Sequence, residues 1–86
     1  MQYKTFTDDT LIVDERAIVM GYHVAGAANN TTINIIDGTD ATGTVVFHIH
    51  LSEKENQSIP WIPIPFNNGI YINVVSGSAL GSVFFE

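Results

Sequence analysis

The chain has 86 residues, no cysteine and a formal net charge of −6, with Lys4, Arg16 and Lys54 as its only cations. This length predicts a single domain, 1–86, without disulfides or a thiolate zinc site to support its small core. Nucleic acids and anionic membranes are poor candidate partners, because phosphate groups are bound by clustered Lys and Arg. Because the chain is small and lacks the support of disulfides or a thiolate zinc site, we expect stability to come from self-association or from docking on a larger body. Only 14% of the residues are charged, which is typical of a surface partly covered by partners.

The N-terminal segment 1–9 combines two aromatic residues, Tyr3 and Phe6, with a polar end. It contains no apolar stretch of signal-peptide length, which predicts synthesis in a cytoplasm. A short segment of this kind can extend as an arm that adds a strand to a neighbouring molecule. We therefore expect either a first strand or an N-terminal arm here.

Apolar residues alternate with other residues along most of the chain, as in strands with one face on a core. In 16–25 this period of two predicts a shared core face for Ile18, Met20, Tyr22 and Val24. In 44–51 it predicts the same for Val45, Phe47, Ile49 and Leu51. The predicted strands are 2–6, 10–13, 16–25, 31–36, 44–51, 57–62, 69–75 and 81–86.

Turn-forming residues separate the strands at 26–30, 37–43, 67–69 and 76–79. Asn and Gly tolerate positive φ, and Asp and Ser bond to nearby backbone. A strand about every ten residues is the spacing of a sandwich or barrel, and no segment has a capped helical period. The sequence predicts an all-β, antiparallel β-sandwich of about eight short strands with essentially no helix, in jelly-roll or immunoglobulin-like order.

The segment 60–66 departs from the alternation because it holds three prolines. Proline has no N–H to donate, so the segment is predicted to be an edge strand or an extended crossing between sheets. Trp61 within it either anchors a partner or plugs the end of the core.

A self-associating second face is expected at Val19, Ile36 and Val46. The residues predicted for the partner or self-interface are Trp61, Pro60, Ile62, Pro63, Phe66, Tyr3 and Phe6.

Two histidines, His48 and His50, share a strand face about 7 Å apart. This spacing can chelate a metal, with His23 as a third ligand or with copies converging on an oligomer axis. The simpler interpretation is a pair of polar residues on a solvated or subunit-facing strand. A metal-dependent enzyme that uses these three residues is a further alternative.

No other pattern predicts catalysis or a cofactor. Asp8, Asp9, Asp37 and Asp40 lie in loops but lack the ligand spacing of a calcium loop, and a hairpin turn explains Asp37. The chain has no nucleophile elbow and no glycine-rich phosphate loop leading into a helix. We expect a protein that is not an enzyme and has no cofactor.

From Ile18 to its end, the chain carries a series of motifs: a strand of the type AIVMGYHVAG, the hairpin DGTDATGT, the strand VVFHIH, the segment NGIYINV at 68–74 and an aromatic strand at 83–86. In this series, and most evidently in NGIYINV, the chain resembles small bacteriophage virion proteins. The resemblance implies a phage structural protein, most similar to capsid decoration (cement) proteins, which sit as homotrimers on the outside of the head and bridge major capsid subunits. It implies location on the virion surface after synthesis in the host cytoplasm.

The competing hypothesis is a carbohydrate- or receptor-binding β-sandwich of a tail fibre or baseplate. Sugar binding favours exposed aromatic platforms, and Trp61, Tyr22 and Tyr71 are the candidates for one.

Overall fold

The computed structural model describes the chain except for residues 28 and 29 and the side chains of Trp61 and Ile62. The described residues form no helix, and hence none long and apolar enough to cross a membrane. They form eight strands, close to the predicted ones: β1 (Gln2–Phe6), β2 (Thr10–Val13), β3 (Ala17–Gly26), β4 (Thr31–Asp37), β5 (Thr44–Leu51), β6 (Asn56–Phe66), β7 (Ile70–Ser76) and β8 (Ala79–Phe85).

The strands pair as if the chain were one long hairpin with its tip between β4 and β5. Antiparallel pairs form between β1 and β8, β2 and β7, β3 and β6, and β4 and β5. Two further pairings, β3 with β8 and β4 with β7, close this ribbon into the sheets β1-β8-β3-β6 and β2-β7-β4-β5. The fold is an antiparallel β-sandwich with the jelly-roll order, one of the two orders that the sequence left open.

The core lies between the two sheets and is apolar. Tyr22 of β3 and Phe47 of β5 meet edge to face across it, with ring centroids 5.2 Å apart, a favourable aromatic geometry. One buried polar side chain, Thr31, is hydrogen-bonded to the backbone of Ser78. In the described part of the chain, the largest fully buried apolar residues are Phe66, Ile33, Ile35, Ile36, Ile70, Ile72, Val19, Val24 and Val83.

A β-bulge in β3 changes which residues face the core. The register shifts between Val19 and Gly21, both toward β6 and toward β8. As a result the core face carries Val19 before the bulge and Tyr22 after it, while Ile18 and Met20 are only half-buried. The predicted core positions of Ile18 and Met20 were wrong, because an extra residue reverses the alternation of a strand.

A second irregularity, a register shift between β4 and β5, changes which residues of β5 are exposed. Ile35 pairs with Phe47 but Ile36 pairs with Val45, so Val46 is the extra residue. Val45, predicted for the core, is 46% exposed beside the exposed Val46.

Two residues predicted for the exposed second face lie inside the protein. Val19 and Ile36 are fully buried, so the predicted self-associating face was wrong for both. Val19 belongs to the main core, whereas Ile36 is covered by the β4–β5 loop. A methyl group added to Gly43 would lie 2.7 Å from Ile36 Cγ2.

The first strand completes its own sheet. β1 pairs with β8 from Gln2 opposite Phe85 to Phe6 opposite Gly81, and the Met1 amino group lies 3.7 Å from the Glu86 carboxylate. The segment is therefore a strand of this chain and not the extended arm that the sequence allowed. Phe6, predicted for an interface, is 3% exposed and packs in the core.

Burial raises the pKa of the Tyr22 hydroxyl above its ordinary value of 10.0. Because the folded state disfavours the phenolate, this contribution to stability is complete below about pH 10 and is lost as the pH rises through the folded-state pKa. We expect Tyr22→Phe to flatten the alkaline end of the profile of unfolding free energy against pH, measured by urea denaturation. Tyr3→Phe on exposed β1 is the matched control, and an equal flattening there would contradict the assignment.

Candidate interaction surfaces

The proline-containing strand β6 lies at the edge of its sheet, as the prolines predicted. Its ladder with β3 is interrupted where they occur, since Val19 pairs with Ile64 and Gly21 with Pro60. β3 thus advances by two residues while β6 advances by four. Proline cannot donate a ladder hydrogen bond, which accounts for an interruption at this point.

The residues predicted for an interface in this segment differ in where they lie. Pro60 and Pro63 are exposed at the sheet edge. Phe66 is fully buried in the core, so its predicted interface role was wrong, since a side chain enclosed by both sheets meets no partner. The side chains of Trp61 and Ile62 lie outside the described residues.

The bulge in β3 opens a groove on the outer face of the β1-β8-β3-β6 sheet. We call it the bulge groove; its volume is about 260 Å³. Side chains from four neighbouring segments border it, so it is a product of the sheet order and not of one loop. Its lining residues are Met1, Met20, Gly21, Tyr22, His23, Ser58, Ile59, Pro60 and Phe84.

Apolar groups dominate the groove and its surroundings. Met20 and Phe84 are half-buried there, and the Phe84 ring lies 6.1 Å from the ring of Tyr3, which is 68% exposed. Tyr3, the one predicted interface aromatic that the structure shows at the surface, thus extends the apolar area on the same sheet. Leu80, 58% exposed, lies on β8 of that sheet as well.

One polar pair interrupts this apolar lining. His23 of β3 and Ser58 of β6 are register partners, and the His23 Nδ1 and the Ser58 hydroxyl are hydrogen-bonded. Within the described part of the chain no carboxylate is bonded to the imidazole of His23. The pair therefore offers a hydrogen-bonding group beside an apolar surface and lacks the orienting acid of a catalytic triad.

The size of the bulge groove limits what it can hold. Pockets for drug-sized ligands measure about 300–1,000 Å³, and 260 Å³ lies below that range. Flexible, polarisable methionine side chains adapt to the shape of an apolar partner. The geometry suits one or two apolar side chains of a protein partner better than a sugar chain.

His48 and His50 lie on the outer face of the β2-β7-β4-β5 sheet, whereas His23 lies on the β1-β8-β3-β6 sheet. Each is exposed and bonded to its register partner on β4: His48 Nδ1 is 2.7 Å from Asn34 Oδ1, and His50 Nδ1 is 3.1 Å from Thr32 Oγ1. The predicted pair on one strand face is present. The third predicted ligand, His23, is on the opposite sheet, so the three do not converge within one chain.

The loop carboxylates connect strands. Asp37 accepts hydrogen bonds from the backbone N–H groups of Asn67 at 3.1 Å and Asn68 at 2.9 Å, which fixes the β6–β7 turn against the end of β4. Asp9 accepts one from the Val74 N–H at 2.7 Å. These roles are structural, and each carboxylate already has a donor.

Asp40 closes the loop between β4 and β5. Its carboxylate accepts hydrogen bonds from the hydroxyl and the backbone N–H of Thr42, and the hydroxyl, followed by the N–H, lowers the pKa of Asp40. No three His, Asp or Glu side chains come together as a metal-binding group in the described ranges. The four loop aspartates accordingly form no calcium site there.

The aromatic platform expected for sugar binding is only partly available. Tyr22 is 3% exposed and packs against Phe47, so its predicted platform role was wrong. Tyr71 is half-buried, and the side chain of Trp61 lies outside the described residues.

No protein-family model, curated protein or solved structure matches this chain. The interaction surfaces therefore rest on the chain's own geometry. Sequence reasoning missed Met1, Met20 and Phe84 as groove residues. The signal that would have indicated the groove is Gly21 inside a strand, since a glycine there often marks a bulge or a close backbone approach.

Proposed function

We propose that this chain is a structural protein of a bacteriophage virion, a decoration protein that binds the outer surface of the head and stabilises the shell. The observation that supports the proposal best is the bulge groove, an apolar recess with exposed apolar neighbours on one face of a small sandwich. The resemblance of 18–86 to small virion proteins supplies the kind of particle. Jelly rolls occur in viral capsid domains as well as in lectins, and the fold alone does not determine function.

In this proposal an apolar side chain of the major capsid protein enters the bulge groove. Fully desolvated apolar and aromatic anchors supply most of the affinity at interfaces of this kind. In an oligomer of this chain, weak single contacts would be strengthened on a repetitive shell, because binding by one subunit holds the others close to neighbouring sites. The net charge of −6 also disfavours binding to the packaged nucleic acid, because the phosphate backbone is negatively charged as well.

The chain also assembles with copies of itself, and a homotrimer is the state that the resemblance implies. Val45 and Val46 support self-association, because the register shift between β4 and β5 leaves both exposed. They lie on β5, an edge strand without proline or charged residues. Such an edge accepts a further strand more readily than β6, which is interrupted by prolines.

The contact through the bulge groove is tested by cosedimentation of the purified chain with DNA-free heads of the phage that encodes it. We expect Met20→Glu, which places a carboxylate in the groove, to weaken binding by about tenfold or more. Val75→Glu on the other sheet is the matched control, since Val75 is 55% exposed and away from the groove; its affinity should stay within about twofold of the parent.

Equal binding by the parent and both variants would reject the groove as the contact. A stable monomer in analytical ultracentrifugation that also ignores the heads would reject the decoration role itself. A specific signal on a glycan array, with no head binding, would instead favour the receptor-binding alternative.

A further inference from the structure

We propose that His48 and His50 form a two-histidine binding site for a divalent transition metal on the outer face of β5. The inference is separate from the proposed groove contact, since the site lies on the other sheet from the bulge groove. The site shares strand β5 with the surface proposed for self-association. The inference rests on three observations: the two histidines are two positions apart on one strand, their rings are hydrogen-bonded to the neighbouring strand, and both are exposed.

The spacing is that of a chelate. Residues i and i+2 of a strand point to the same face with Cα atoms about 7 Å apart, and two imidazole rings on that face can lean toward one ion. The intervening Ile49 is 2% exposed and packs in the core. Because Ile49 points into the core, His48 and His50 on either side of it must point to the opposite, solvent-exposed face of β5.

The neighbouring strand β4 fixes both rings. The Asn34 side-chain oxygen accepts a hydrogen bond from His48 Nδ1 at 2.7 Å, so in the neutral ring the proton is on Nδ1 and the lone pair is on Nε2. His50 Nδ1 is joined to the Thr32 hydroxyl at 3.1 Å. Metal-binding histidines usually have such a partner on the nitrogen that does not bind the metal, which orients the ring.

The Nε2 atoms are available for an ion. Both histidines are exposed on an edge strand, and within the described residues neither Nε2 has a hydrogen-bond partner. Their register partners on β4 are uncharged. The overall charge of −6 adds a general attraction for cations.

The ligand type indicates the class of metal. Imidazole nitrogen suits Zn²⁺, Ni²⁺ and Cu²⁺, while Mg²⁺ and Ca²⁺ prefer oxygen ligands. The affinity should follow the usual order, with Cu²⁺ bound more tightly than Ni²⁺ or Zn²⁺. Two protein ligands leave the remaining coordination positions to water, so the site takes and releases its ion readily.

The experiment is isothermal titration calorimetry of the purified chain with CuCl₂, NiCl₂ and ZnCl₂. We expect one ion per chain and the order given above, with His48→Gln and His50→Gln each weakening binding by about tenfold or more. His23→Gln is the matched control, because it removes an exposed imidazole from the other sheet. Equal weakening in all three variants, or no saturable binding by the parent, would overturn the proposal.

A second variant tests the positioning role of β4. Asn34→Ala should lower the affinity about tenfold and shift the ¹⁵N resonances of the His48 ring toward a mixture of tautomers. Asn73→Ala, the register neighbour of Asn34 on β7, should leave both readouts unchanged. Backbone amide shifts of the parent chain on adding ZnCl₂ should concentrate on β4 and β5; shifts centred elsewhere would contradict the site without relying on any variant.

Discussion

Phe66→Ala is expected to lower the free energy of unfolding by about 3–5 kcal/mol, measured by urea denaturation. Among the described residues, Phe66 is the largest fully buried side chain, and its removal leaves a cavity between sheets that close-packed neighbours fill only in part. A chain of this length has a total stability on the order of 4–13 kcal/mol. The variant should therefore lose a large share of the total stability, and the midpoint of its urea transition should fall accordingly.

Phe84→Ala is the matched control, because the same ring is removed from a half-buried position on the outer face of the sheet. It should cost about 1–2 kcal/mol, mainly the apolar area lost beside Tyr3 and Met20, and should weaken binding through the bulge groove. Comparable destabilisation by both variants would contradict the assignment of Phe66 to the core and Phe84 to the groove.

Gly21→Ala is expected to have the second-largest effect. A Cβ at this position would lie 2.5 Å from the Ile59 carbonyl oxygen and 3.3 Å from Pro60 Cα. The obstruction is backbone, which cannot rotate away as a side chain can, so β3 and β6 must separate at the bulge. Overpacking of this kind costs about 1–3 kcal/mol, and the groove beside it should lose its shape as well.

Gly38→Ala provides the comparison for Gly21→Ala. Its Cβ would lie 3.1 Å from Gly43 Cα, a milder contact within the β4–β5 loop. We expect a loss of unfolding free energy below about 1 kcal/mol and no effect on the proposed binding to phage heads. If Gly21→Ala were no more destabilising than Gly38→Ala, the close approach of β3 and β6 would be wrong.

Much of the fold could be predicted from the sequence because the strands are short and separated by turn-forming residues. The prolines predicted the edge position of β6, because a residue without a backbone N–H cannot donate a hydrogen bond to a second neighbouring strand. It was harder to predict which residues of β3 face the core, because both faces of this strand are apolar. By composition, Val19 and Met20 are equally plausible core residues. The bulge at Gly21 decides between them, and a strict period of two does not allow for an extra residue.

The interaction surfaces were less predictable because they depend on strands distant in sequence. Met1 and Phe84 meet at the groove only because β1 pairs with β8, and alternation within a strand carries no information on which strands become neighbours. Phe6 and Phe66 were assigned to an interface from their position near unusual segments, yet a small sandwich needs its large aromatics inside. The histidine pair was predictable, since its two members are on one strand.

The pairing of β1 with β8 affects how the chain folds. Gln2 lies opposite Phe85 and Phe6 lies opposite Gly81, so this sheet is completed by two strands that are far apart along the sequence. Pairings so distant in sequence have a large loop-closure cost and make all-β domains fold in about milliseconds to seconds. Before β1 pairs with β8, this edge of β8 is open to pairing with another copy of the chain, so dilution or chaperones should favour correct folding.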